Sequence, residues 1–198
     1  MHKLIIDTDP GLDDAIALIA AFELADVLGV TTVAGNVPLC ATTANALALL
    51  AWMGADASVH RGARDALAGP MPTAGHVHGE DGLGGLILPP HDREVADQDA
   101  VDFLLEATRR NRGVWIVPIG PLTNIAQAIE RDSGFTERIA GISLMGGSAT
   151  SGNVTATAEF NVFADPEAAE VVFGSGARVL MSGLNLTQQL RTDDALVE

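Results

Sequence analysis

The chain has 198 residues, 47% of them hydrophobic, which is enough for one well-packed domain. Its 26 acidic against 11 basic residues leave a formal net charge of -15, which argues against nucleic acid or an anionic membrane as partner and favours a small neutral or cationic ligand or a metal ion. The single cysteine, Cys40, excludes an internal disulfide and a multi-cysteine zinc site and suits a reducing, cytoplasmic setting.

The first apolar run, KLIID, reads as a strand, and Asp7 and Asp9 interrupt it too early for a signal peptide. A helix over 12–24 follows, then a strand over 27–35 and a helix over 41–53 with small and apolar residues at helical spacing. ASVHRG leads into a loop over 63–90 rich in Gly, Pro and His. A helix over 98–110 precedes the strand VWIVPIG, and the helix over 121–132 carries Pro121 near its start, where a missing N–H costs nothing. GISLMGG and ARVLMSG are further strands, separated by a polar loop over 148–165 and a helix over 166–174. No segment approaches the roughly 18 uninterrupted apolar residues of a membrane span. The strands are apolar throughout, so they are expected to be buried on both faces of a mostly parallel α/β sheet with helices on both sides. Such sheets bind ligands beyond the carboxyl ends of their strands, where Asp9, Asn36, 120–124 and 145–147 fall. With no repeat or linker, residues 1–198 read as a single domain.

Asp7, Asp9, Asp13 and Asp14 crowd four carboxylates into DTDPGLDD. Alternation along a strand points Asp7 and Asp9 to the same side. Pro10-Gly11 turns the chain and sets Asp13 and Asp14 at a helix start, which offsets only about 0.3–1 kcal/mol per carboxylate. Like charges this close call for protonation or a bound cation. A hard cation such as Ca2+, which takes six to eight oxygens at about 2.3–2.6 Å, accounts for the cluster better than a solvated loop in which Asp13 only caps the helix. Asp7 is read as bonding the turn that follows it.

DTDPGLDD resembles the signature of the inosine–uridine-preferring nucleoside hydrolase family. TTVAGN (31–36), HGEDGLGG (78–85), VPIGPLTNIA (117–126), LMGG (144–147) and GNVTATAEFNVFADPEAA (152–169) match in the same order. The resemblance implies a Rossmann-like nucleoside hydrolase fold, a tightly held Ca2+, and cleavage of the N-glycosidic bond of ribonucleosides to ribose and free base. By motif position it makes Asp9 both a calcium ligand and the base for the metal-bound attacking water, Asp14 a calcium ligand, and Thr123 a ligand through its carbonyl. It places Asn36 beside the metal and nucleophile, Asp13 on a ribose hydroxyl, Asn153 and Glu159 on the 5'-hydroxyl and Asn161 on the lower-face hydroxyls. Met145 packs on the sugar ring and His78 lies in a loop near the site. It also implies a homo-oligomer, a dimer or tetramer.

Blander readings attach to several of these residues. Thr123 and Asn124 suit a helix start, His76 and His78 suit a solvated loop, Glu159 suits a surface charge, and GEDGLGG lacks the Lys-Ser/Thr of a phosphate-binding loop. Cys40 reads as a small packing residue, and Leu47, Leu50 and Trp52 as core or interface. Full family members are more than half as long again and carry a further calcium-binding Asp and commonly a His in their last third. Asn185 and Gln188 stand where acidic and His residues are commoner, and Asp193 and Asp194 lack the matching context, so the chain reads as incomplete at its C-terminus. Three functions compete: a calcium-dependent nucleoside hydrolase, an impaired member that binds metal or ribose without turnover, and a phosphatase using Asp7 and Asp9. The third requires a downstream lysine, and Lys3 is the only lysine in the chain.

Overall fold

The computed structural model of the chain describes residues 1–190; Asp193 and Asp194 lie outside them. Six strands, β1 (Lys3–Thr8), β2 (Asp26–Thr32), β3 (Val59–Arg61), β4 (Val114–Pro118), β5 (Gly141–Met145) and β6 (Val179–Ser182), form one sheet in the order β3-β2-β1-β4-β5-β6. Every pairing is parallel. The chain therefore builds outward from β1 in one direction, crosses back, and builds outward from β4 in the other. This reversal opens a crevice between the carboxyl ends of β1 and β4, where open parallel sheets bind ligands.

Apolar runs without alternation bury the sheet on both faces. Ile5 and Ile6 are consecutive and both buried, yet they join different cores. Ile5 packs with Leu104, Ile116, Ile125, Phe135, Ile142 and Val172, under α4 (Ala100–Arg110), α5 (Thr123–Arg131), α6 (Phe135–Arg138) and α8 (Pro166–Gly174). Ile6 packs with Leu18, Val30, Leu49, Leu50 and Val59, under α1 (Leu12–Leu24) and α2 (Leu39–Met53). The short helices α3 (Gly75–His78), α7 (Phe160–Ala164) and α9 (Leu184–Thr187) lie in the connections.

The expected α/β class and both-face burial hold, and α1 and α8 match their predicted limits. The structure differs in detail elsewhere. β2 ends at Thr32, not at residue 35: Val33 N–H to Thr8 O is the last bond to β1, which itself ends at Thr8, and Ala34 N–H bonds Ala63 O in the connection after β3. The expected loops over 63–90 and 148–165 contain α3 and α7. Of the α2 residues read as core or interface, Leu50 is buried and Trp52 faces outward. Cys40 is exposed rather than packed.

His60 on β3 is sandwiched in the interior. Its ring stacks on Phe103 with centroids 3.8 Å apart, Nδ1 donates to Gln98 O at 2.9 Å, and Nε2 faces the Ser58 hydroxyl at 2.7 Å. Burial pushes the imidazole below its ordinary value of 6.5, against the Gln98 bond and the Asp99 charge, which raise it. A depressed folded-state value means that the neutral ring stabilises the fold above pH 6.5 and that this contribution is lost as pH falls below it. Between pH 7.5 and 5.5, the urea midpoint of wild type is therefore expected to fall further than that of His60→Gln. Equal shifts in the two proteins would remove His60 from the acid response.

Candidate active site

The crevice between β1 and β4 is lined by acids and amides that are almost fully buried. Asp9 follows β1, and its carboxylate is walled by main chain. A Cβ added to Gly35 would lie 2.1 Å from Asp9 Oδ2, and one added to Gly120 would lie 2.4 Å from Oδ1. Glycine is required at both positions for close approach. Asn36 N–H donates to Asp9 Oδ2 at 2.7 Å, and Asn36 Nδ2 donates to Asp9 O at 3.0 Å. Among the described residues, Asp9 Oδ1 has no hydrogen-bond partner although it is buried.

Asp14 sits in the first turn of α1. Its Oδ2 reaches back to Gly11 N–H at 2.9 Å, one half of a capping box, and also accepts from Asn36 Nδ2 at 3.2 Å. Its Oδ1 accepts from the Thr8 hydroxyl at 2.7 Å. Asn36 thus ties the two carboxylates together. Burial pushes the Asp9 carboxyl well above its ordinary range, and the negative Asp14 adds to the shift. Burial, then the Asp13 charge, raises Asp14 as well. Without a positive partner, the two acids are held in a place that disfavours their charged forms.

Asp7 does not bond the turn after it, as the sequence reading had it. Its Oδ1 accepts from the Thr31 hydroxyl on β2 at 2.5 Å and from Asn124 Nδ2 on α5 at 2.7 Å, and Oδ2 is buried without a partner. Burial raises this carboxyl to about 7, while the two hydrogen bonds lower it. Asn124 also donates to Thr32 O and accepts from Ala63 N–H, so its side chain joins β1, β2 and the connection after β3.

The rest of the site comes from β5 and α7. Glu159 is buried and caps α7: its Oε2 accepts from Gly147 N–H at 2.8 Å and Asn161 N–H at 3.0 Å. Asn161 Nδ2 donates to Ile119 O at 3.0 Å and Met145 O at 3.1 Å, bridging the ends of β4 and β5. Since Gly120 touches Asp9, the Asn161 bond to Ile119 makes the two halves of the site continuous. At the rim, Asp13 is exposed, and His78 Nδ1 lies 4.0 Å from its Oδ1. Asn153 is exposed, and its main-chain N–H bonds Ala158 O within the loop.

The sequence model of the family described as inosine-uridine preferring nucleoside hydrolase matches residues 4–198. The chain belongs to this family. It is 46% identical to uridine nucleosidase 1 of Arabidopsis thaliana, over all of this chain and 61% of that protein. It is 41% identical to the pyrimidine-specific ribonucleoside hydrolase RihB of Escherichia coli, over 95% of this chain and 61% of that protein. Among solved structures it superposes on a purine-preferring ribonucleoside hydrolase from Gardnerella vaginalis with TM-score 0.93 and 35% identity, over 96% of this chain and 63% of that one. A plant nucleoside hydrolase gives TM-score 0.91 and 41% identity, over 96% and 62%. The chain spans 61–63% of the length of these nucleoside hydrolase relatives.

Of the residues the family resemblance singles out, Asp9, Asp14 and Asn36 are joined by direct hydrogen bonds. Met145, Glu159 and Asn161 form a second linked set, while Asp13 and His78 stand at the rim and Asn153 stands apart on its loop. Among the described residues, no group of three or more His, Cys, Asp or Glu is arranged to hold a metal ion. Asp9 and Asp14 still offer the all-oxygen donors that a hard divalent cation prefers, and the unpartnered Asp9 Oδ1 is a buried acceptor with nothing to accept from. These residues fit part of such a shell. Sequence reasoning missed Asp165, which has no exposed surface and bonds to Thr123, and it missed the two glycine walls. The Asp-Pro pair at 165–166 signals a helix cap, but nothing local signals the bond to Thr123.

Proposed function

We propose that the chain carries the water-activating and ribose-binding part of a calcium-dependent ribonucleoside hydrolase, which cleaves the N-glycosidic bond to give ribose and free base. The observation that carries this reading is the Asp9 carboxylate, buried at the sheet's reversal point with one oxygen unpartnered and Asp14 tied to it through Asn36. Asp9, Asp14 and the Thr123 carbonyl would hold the cation. A bound Ca2+ would supply positive charge that neutralises the acids and makes water easier to ionise. Asp9 then takes a proton from the attacking water, whose oxygen bonds to the anomeric carbon as the carbon–nitrogen bond breaks. The departing base leaves with the bonding electrons and takes a proton from solvent, and Asp9 returns the water's proton to solvent to complete the cycle.

Glycosidic cleavage passes through an oxocarbenium-like state, stabilised by nearby anions and by firmly held hydroxyls. Asn36 keeps Asp9 oriented. Asp13 at the rim binds a ribose hydroxyl, Asn161 meets the lower-face hydroxyls, and Glu159 meets the 5'-hydroxyl together with Asn153. Met145 packs on the sugar ring and His78 flanks it. The reading extends to a cytoplasmic homo-oligomer, supported by half-exposed apolar side chains on α1 (Leu12, Ile16) and β6 (Leu180, Met181).

Release of ribose from uridine and inosine, with Ca2+ and with a chelator, tests the proposal. Turnover is expected in Ca2+ and none in chelator; equal rates in both would overturn the role of the cation. A second reading, binding of metal or ribose without turnover, is favoured by the small donor set, since two carboxylates and one carbonyl fall short of the six to eight oxygens that Ca2+ takes. Folded protein that binds Ca2+ but releases no ribose would establish that reading.

A further inference from the structure

Thr123 and Asn124, the first two residues of α5, each reach a buried carboxylate on another element. Asn124 Nδ2 donates to Asp7 Oδ1 on β1, and Thr123 Oγ1 donates to Asp165 Oδ2, just before α8, at 2.6 Å. Asp165 is fully buried and uses both oxygens. Oδ1 caps α8 by accepting from Ala168 N–H at 3.0 Å, while Oδ2 also accepts from Leu67 N–H at 3.0 Å. Helix capping accounts for Oδ1 alone. The second oxygen joins the connection after β3 to the start of α5, and neither is near Asp165 in sequence.

What precedes Thr123 gives this bond its reach. Gly120 is the wall against Asp9 Oδ1, and Pro121 Cδ stands 2.9 Å from where a Cβ of Gly35 would be, on the other side of the same carboxylate. Any shift of the first turn of α5 moves that wall. We propose that Asp165 is a positioning residue for the cation site: through Thr123 it fixes the start of α5, and with it the Gly120–Pro121 wall, at the spacing that the Asp9 carboxylate requires. This rests on the reading of Asp9 and Asp14 as cation ligands given above. Groups that orient metal ligands without touching the metal commonly change its affinity by about 10–100-fold when removed.

The test is calorimetric titration with Ca2+ of wild type, Thr123→Val, Thr123→Ser, Asp165→Asn, the Thr123→Val/Asp165→Asn pair and Val172→Ala, with Tm measured separately in chelator. Thr123→Val and Asp165→Asn are expected to weaken Ca2+ binding by about 10–100-fold. The double variant should bind no more weakly than the weaker single, and Thr123→Ser should bind like wild type. Val172→Ala removes buried volume from α8, so it should lower Tm and leave the Kd unchanged. Wild-type affinity in Thr123→Val overturns the proposal, as does a loss that Val172→Ala reproduces at an equal drop in Tm. Wild type that binds no Ca2+ removes the cation reading itself, and the proposal with it; the wild-type titration alone distinguishes that result.

Discussion

Asp9→Asn is expected to lower the rate of ribose release by about 100- to 10,000-fold, the range that a positioned proton acceptor contributes. The substitution keeps the shape of the side chain and an oxygen for the Asn36 N–H, so the wall formed by Gly35 and Gly120 stays in place. It removes the negative charge and the ability to take a proton. Fold and chemistry should separate in the same protein. The wild-type carboxylate is buried beside Asp14 with one oxygen unpartnered, so in chelator at pH 8 the variant should melt no lower than wild type. Unchanged turnover would remove Asp9 from the reaction. A lower Tm in chelator would show that the buried charge is compensated by something other than the proposed cation.

Gly35→Ala tests the same carboxylate from the opposite side. The added methyl would lie 2.1 Å from Asp9 Oδ2 and 2.9 Å from Pro121 Cδ, and Gly120 crowds the other oxygen of the same carboxylate, so Asp9 must move. A displacement of about 1 Å at a reacting group can lower a rate by about 100-fold, and a loss of at least that size is expected. Ca2+ affinity should fall with it, measured by the same titration. Wild-type turnover in Gly35→Ala would mean that the Asp9 carboxylate is not held where the reaction takes place.

What could be read from the sequence was local. The predicted helix over 12–24 coincides with α1, and the unbroken apolar strands foretold the two-faced burial of Ile5 and Ile6. DTDPGLDD showed four acids crowded into one short segment, because its turn and helix start are local; the structure joins two of them, Asp9 and Asp14, through Asn36. The partners of those acids were not readable. Asp7 bonds to Asn124 across 117 positions, and Thr123 bonds to Asp165 across 42, distances over which no periodicity or capping pattern carries information. Glu159 was singled out for its setting in a polar loop. Its cap on α7 is local, but its bond to the N–H of Gly147, just past β5, comes only with the packing of the fold. The gaps around Asp9 were invisible for a similar reason: Gly35 and Gly120 read only as the ends of two strands until the fold brings them to opposite sides of one carboxylate.

A side chain lining a site must surrender its rotamers when a ligand is held against it, at roughly 0.5–1.5 kcal/mol for each flexible chain that is frozen. The walls beside Asp9 have no rotamers to surrender. Their ordering is complete once the sheet and the start of α5 are in place, so a ligand arriving at this carboxylate meets a surface already set by folding. In the proposed hydrolase, selectivity would then be adjusted at the rim, among exposed residues such as Asp13 and Asn153, while the centre stays rigid.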